Sequence, residues 1–149
     1  MPSWCFNILA FEGIAQEIAK MKDMYPATFR FGDLLPLPPD NPWGAAALWG
    51  TKWEPRNTYV EDHAAMLYDD KNDDEYYELR FETAWSPPTL WLVEVSRISP
   101  LVRVKLEYQN PDMGIRGEVH CLGGNIAYEG EWEITDGGSD NDEESQSAA

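Results

Sequence analysis

The sequence is poor in basic residues, with 11 lysines and arginines against 27 aspartates and glutamates and a formal net charge of −16. A surface with this excess of carboxylates repels the phosphates of nucleic acids and attracts basic proteins or cations. Direct binding of DNA or RNA is therefore the function class that the composition argues against most strongly.

Cysteine and histidine are scarce, with two of each in 149 residues. Two cysteines do not make a disulfide framework, and a zinc site needs about four ligands at local spacing, which Cys5, His63, His120 and Cys121 do not provide. No phosphate-binding glycine loop, serine-nucleophile motif or dinucleotide pattern occurs in the sequence. We therefore predict no metal, no cofactor and no catalytic residue, and we expect a binding protein rather than an enzyme.

Long uncharged runs are also absent, and the start of the chain, MPSWCFNILAF, has no basic segment before its apolar residues. A membrane-spanning helix needs about 20 apolar residues, and a secretory signal begins with a basic region. We expect a soluble protein of the cytoplasm.

The apolar residues recur with regular periods. Residues 4–11 (WCFNILAF) are apolar on both parities, which predicts a central strand covered on both faces. A helical stripe runs from Ile14 to Tyr25, and WSPP at 85–88 predicts a strand that turns into a second helix capped by Ser86. Alternating patterns predict further strands, and Gly123-Gly124 predicts the turn of a hairpin between the last two of them.

The order of these elements is strand, helix, one or two strands, helix, then two or three strands. With short connections and right-handed crossovers, it predicts an α+β fold of ferredoxin-like type, with two helices on one face of an antiparallel sheet. A long loop rich in proline and tryptophan (31–55) and a C-terminal hairpin complete it. We expect residues 1–135 to form one domain and residues 136–149, with five acids and no large apolar residue, to be a disordered tail.

Four motifs occur in order: MPSWCFN at the start, WGTKW at 49–53, TAWSPP at 83–88 and LEYQNPDMGIRG at 106–117. They resemble the YubB-like family of phage and conjugative-plasmid proteins over residues 2–120. The resemblance implies a ferredoxin-like domain and a protein that is encoded by a mobile element and acts in the cytoplasm of a host cell. It implies no particular activity, and the sequence departs from the family pattern at Glu54-Pro55 and at residues 110–112.

The acidic residues suggest one function. Glu129, Glu131 and Glu133 share a face of the last predicted strand at a spacing of about 6.8 Å. A second acidic cluster comprises Asp69, Asp70, Asp73, Asp74 and Glu75. We predict that these residues imitate a nucleic acid and bind a basic nucleic-acid-binding host protein, such as a defence nuclease or a CRISPR effector. Protection of an edge strand and solubility are the alternative interpretation of the same acids.

The aromatic residues suggest another function. Trp49, Trp53 and Trp85 form a candidate site for a flat small ligand or a substrate under the loop between Trp43 and Trp53. A module that binds basic proteins without imitating nucleic acid is a further possibility.

Overall fold

The structure is a computed structural model that describes residues 3–41, 43–62 and 74–134. Within them, six strands form one antiparallel sheet in the order β2-β3-β1-β4-β5-β6. The strands are β1 (Trp4–Gly13), β2 (Arg56–Val60), β3 (Glu75–Ala84), β4 (Arg103–Asn110), β5 (Ile115–Leu122) and β6 (Asn125–Glu133). The helices are α1 (Ala15–Met24), α2 (Phe31–Leu34), α3 (Ala45–Trp49) and α4 (Thr89–Ile98).

The predicted α+β fold with an antiparallel, ferredoxin-like sheet is confirmed. The connections through α1 and α4 each lead to a strand two places away, which gives the order β2-β3-β1-β4 for the first four strands. β5 and β6 extend this sheet beyond β4. Gly123 and Gly124 form the predicted turn between them with φ angles of 61° and 87°, a region that glycine enters without steric penalty.

The core lies between the helices and one face of the sheet, which we call the helix-covered face. Alternate residues of β1, such as Leu9 and Phe11, are fully buried there together with Trp91 and Val95 of α4. Aromatic rings with centroids 5.1–6.3 Å apart fill the centre of this core: Tyr25, Phe29, Phe31, Trp49, Phe81 and Trp91. The loop rich in proline and tryptophan therefore supplies part of the core.

The opposite face of the sheet, which we call the open face, carries no helix in the part of the chain that the structure describes. The prediction that β1 is covered on both faces is thus wrong. Phe6 is 46% exposed and Ile8 is half-buried, although both lie in a central strand. The reason is topological, because crossover connections of one hand return both helices to the same face.

The second helix begins later than predicted. α4 starts at Thr89 with Pro88 at the N-cap position, and no side chain caps it. The Ser86 hydroxyl donates instead to the carbonyl oxygen of Gly50, 2.7 Å away. None of the described helices is both long and apolar enough to cross a membrane.

Candidate functional site

The motifs WGTKW and TAWSPP fold against each other. The Thr51 hydroxyl donates to the carbonyl oxygen of Ala84 (2.9 Å), alongside the bond from Ser86 to Gly50. Gly50 has a φ of 90°, and a Cβ there would lie 2.9 Å from the backbone nitrogen of Thr89. The two motifs therefore connect α3 to the start of α4, which is a structural role.

The three tryptophans of the predicted aromatic site have different surroundings. Trp49 is 2% exposed, and its indole nitrogen donates to the carbonyl oxygen of Leu35 (2.8 Å), so it belongs to the core. Trp53 and Trp85 are exposed, and the Trp53 ring contacts that of Trp4 with centroids 6.0 Å apart. None of the three lines the cavity that the structure describes. A ligand-binding role for them stays a prediction.

The strand β6 carries the predicted row of acids. It is an edge strand within the described residues. Glu129, Glu131 and Glu133 pair with Val119, Gly117 and Ile115 of β5, which lie on the side of that strand from which Val119 and Cys121 enter the core. The three glutamates, which we call the acidic row, thus lie on the helix-covered side, at the margin of the sheet. All three are exposed, and none lies within 4.0 Å of a basic group in the described residues.

A glycine positions the middle of the acidic row. Gly117 lies between Tyr108 of β4 and Glu131 of β6, and a Cβ at this glycine would overlap the Tyr108 hydroxyl. Because that space is empty, the Tyr108 ring crosses β5 and its hydroxyl donates to the Glu131 carboxylate over 2.7 Å. Burial, and then this bond, raise the pKa of Tyr108 above its ordinary value, so the hydroxyl remains a donor.

The described members of the second acidic cluster, Asp74 and Glu75, do not join the acidic row. Asp69, Asp70 and Asp73 lie outside the described residues, whereas Asp74 accepts a hydrogen bond from Arg103 over 2.9 Å. Glu75 is exposed at the start of β3. Because β3 and β6 are four places apart in the sheet, about 19 Å separates the two strands. Asp74 and Glu75 therefore lie apart from the acidic row.

Most basic residues of the described chain are already paired. Seven of its ten lysines and arginines lie within 4.0 Å of a carboxylate: Lys20, Arg30, Arg56, Arg80, Arg97, Arg103 and Lys105. The other three are Lys22, Lys52 and Arg116. Because seven of the described basic groups pair elsewhere and none of the ten lies within 4.0 Å of Glu129, Glu131 or Glu133, the charge of the acidic row is left uncompensated in the described chain.

The open face contains a cavity of about 430 Å³. Phe6 and Ile8 of β1 form its floor, and Tyr59 of β2 and Trp132 of β6 stand at its two ends. Charged and amide side chains complete the lining: Arg80, Glu82, Glu107, Gln109, Arg116 and Glu118. The sequence prediction missed this cavity. The available signal was the second apolar parity of residues 4–11, which was interpreted as burial.

A metal centre finds no support in residues 3–41, 43–62 and 74–134, because no three histidine, cysteine, aspartate or glutamate side chains come together there in a way that could hold an ion. Glu118 does lie 3.3 Å from His120 Nε2, next to the cavity. That contact is an ion pair only when the histidine is charged.

The chain belongs to the family described as the ferredoxin-like domain in Api92-like protein, whose model matches residues 65–148. Among solved structures, it is similar to the crystal structure of a protein api92 from Yersinia pseudotuberculosis, with 24% identity and a TM-score of 0.44. The match covers 58% of this chain and 28% of that chain, so it spans little more than a quarter of that protein. No curated protein matches the chain. The ferredoxin-like domain implied by the motifs is confirmed, and the YubB-like, mobile-element assignment stays a prediction.

Proposed function

We propose that this protein binds a basic protein partner through the acidic row on β6, and that it does not catalyse a reaction. The observation that carries the proposal is the state of these three glutamates. They are exposed, they share one side of an edge strand, and no described basic residue neutralises them. At two residues per pleat they form a line of charges about 6.8 Å apart.

A basic groove that binds nucleic acid is the partner surface that fits such a line of charges. A net charge of −16 adds long-range attraction, which accelerates association with a basic protein and disfavours acidic ones. The partner we propose is therefore a nucleic-acid-binding host protein, such as a defence nuclease or a CRISPR effector. The resemblance to phage and plasmid proteins supports the host setting.

Protection of the edge strand is the competing role of the same acids. The outer edge of β6 has no neighbouring strand in the described residues, and charges on such an edge prevent pairing with another copy. The two roles predict different behaviour when the charges are removed. A partner surface loses its partner, whereas a protected edge begins to self-associate.

The test is capture from a host lysate followed by a titration. Tagged protein retains partners at low salt, and elution with about 0.5 M NaCl, where the Debye length falls to a few ångströms, releases them for identification. The affinity for the captured protein is then measured for the variant E129Q/E131Q/E133Q. We expect it to weaken by about tenfold or more, because each removed charge loses its pairing across the interface.

The matched control removes three charges at exposed positions away from β6, in the variant D23N/D33N/D40N. Both variants change the net charge equally, so general attraction weakens equally in both. If the affinity falls by the same factor in the two variants, binding depends on the overall charge of the protein and not on the acidic row. Unchanged affinity of the β6 variant, or its self-association during size-exclusion chromatography without loss of the partner, would favour edge protection.

A further inference from the structure

We infer that the cavity on the open face binds a small zwitterion with an aromatic or large apolar side chain, that is, a free α-amino acid of this kind. The cavity and the acidic row lie on opposite faces of the sheet. The inference is therefore independent of the proposed function, and either can fail alone.

The apolar part of the site surrounds one volume. Phe6 is 46% exposed at its floor, and Tyr59 and Trp132 at its ends are 50% and 39% exposed. A volume of about 430 Å³ falls within the range of roughly 300–1,000 Å³ that is usual for small-molecule sites. The exposed apolar surface is thus concentrated in a concave site. An aromatic or branched side chain of a ligand would cover this surface and remove it from water.

The charges of the lining are only partly matched within the protein. Arg80 lies 2.7 Å from Glu78, and Glu82 lies 2.9 Å from Arg56, so the charges of Arg80 and Glu82 have partners. Arg116 and Glu107 have none within 4.0 Å among the residues that the structure describes. Glu118 pairs only with His120 in the described chain, over 3.3 Å, and that histidine is charged only when protonated. Within the same described residues, the cavity thus presents one guanidinium without a carboxylate partner, that of Arg116, and two glutamates without a lysine or arginine partner, Glu107 and Glu118.

These groups lie on successive open-face rungs of the β4–β5 ladder, and the rung between them, Tyr108–Gly117, faces the helices. Glu107 lies directly opposite Glu118, an arrangement of like charges that is unfavourable unless a cation lies between them. Two rungs along, and therefore on the same face, Arg116 lies opposite Gln109, so a guanidinium and an amide donor stand together. An ammonium group fits the glutamate rung, and a carboxylate fits the arginine rung.

Other ligand classes match this lining less well. A phosphate would face three carboxylates, those of Glu82, Glu107 and Glu118, in the same cavity. A simple cation would face the guanidinium groups of Arg80 and Arg116. A molecule whose ammonium and carboxylate groups are bonded to the same α-carbon offers one charge to each rung and leaves its side chain over Phe6.

The test is isothermal titration calorimetry with L-phenylalanine as the probe, on the full chain. The analogue 3-phenylpropanoate lacks the ammonium group, and 2-phenylethylamine lacks the carboxylate. We expect L-phenylalanine to bind and each analogue to bind at least about tenfold more weakly, which is one lost ionic contact. The dipeptide L-alanyl-L-phenylalanine separates the two charges, and tighter binding by it would identify peptides as the natural source of the zwitterion.

Two substitutions assign the charges to their rungs. R116Q should weaken the binding of L-phenylalanine and leave the binding of 2-phenylethylamine, which has no carboxylate, unchanged. E107Q should weaken the binding of L-phenylalanine and leave the binding of 3-phenylpropanoate, which has no ammonium group, unchanged. K22Q and D23N change charges of the same sign on α1, far from the cavity, and serve as matched controls. Circular dichroism verifies that every variant is folded.

Three outcomes would overturn the inference: no binding of L-phenylalanine or the dipeptide at millimolar concentration, equal binding by a singly charged analogue, or equal weakening by the α1 controls. Quenching of tryptophan fluorescence by L-phenylalanine, lost in W132F, gives a second readout, because Trp132 forms one end of the cavity.

Discussion

Replacing Gly117 by alanine tests how the acidic row is attached to the sheet. A Cβ at this position would overlap the Tyr108 hydroxyl and lie 2.6 Å from the carbonyl oxygen of Gly130, so both the ring and β6 have to move. Overpacking of this kind destabilises by about 1–3 kcal/mol. Loss of the bond to the ionised Glu131 adds about 1.5 kcal/mol, the low end for a charged acceptor, because this carboxylate is exposed. We expect the free energy of unfolding to fall by about 2.5–4.5 kcal/mol in total.

Urea unfolding followed by circular dichroism measures this loss, and the corresponding decrease in Tm is about 5–15 °C for a chain of this size. The variant Y108F is the control, because it keeps the glycine and removes only the hydroxyl donor. We expect it to lose about 1–1.5 kcal/mol, so the difference between the variants reports the steric part. A loss below about 0.5 kcal/mol for Gly117→Ala, as is usual at unconstrained surface positions, would refute the reasoning.

Two further predictions concern the loop and the buried titratable groups. Glu54 accepts hydrogen bonds over 2.6 and 3.1 Å from the first two backbone amides of α2, so E54A should lower the free energy of unfolding by about 2 kcal/mol and E54Q by about half as much, measured in urea. Unchanged stability of E54A would contradict this. Burial raises the pKa of Cys5 to about 12, of Cys121 to about 11, and of Tyr25 and Tyr77 to about 12. These pKa values exceed the ordinary 9.0 of cysteine and 10.0 of tyrosine. The contribution of these groups to folding stability is therefore complete below the ordinary pKa and is lost as the pH rises through the pKa of the folded state. Urea titrations should show that the free energy of unfolding decreases from pH 9 to 12, and constant stability over that range would contradict the assignment. The thiols of the folded protein should also be unreactive to a disulfide reagent at neutral pH.

The elements with strong periodicity were predictable from the sequence. Alternation located β3, β4, β5 and β6, and the Gly123-Gly124 pair located the last turn, because each of these signals is local. β2 was not separately predicted. Its sequence, RNTYV, shows no alternation of apolar and polar residues. The strand is irregular, because its pairing with β3 is interrupted between Arg56 and Tyr59 and Asn57 has a positive φ of 53°. An irregular edge strand of five residues leaves little pattern to detect.

The charges of the candidate surfaces were harder to predict than their positions. The acidic row was visible because its members are two residues apart on one strand. Asp74 looked equally available, yet its partner Arg103 lies 29 positions away and reaches it only in the folded sheet. Glu54 looked like a departure from a family motif, and its role in holding α2 depends on residues more than 20 positions earlier. Pairing of this kind is decided by the tertiary structure.

β1 shows why the cavity could not be predicted from the pattern that encodes it. A strand that is apolar on both parities is expected when both faces are buried, and the same pattern arises when one face lines a ligand site. What separates the two cases is the set of neighbours on adjacent strands. Ile8 is flanked by Arg80 and Glu107, which would be apolar residues if a second layer covered this face. The residues that distinguish a binding site from a core are thus 72 and 99 positions away from Ile8, and only the register of the sheet brings them together.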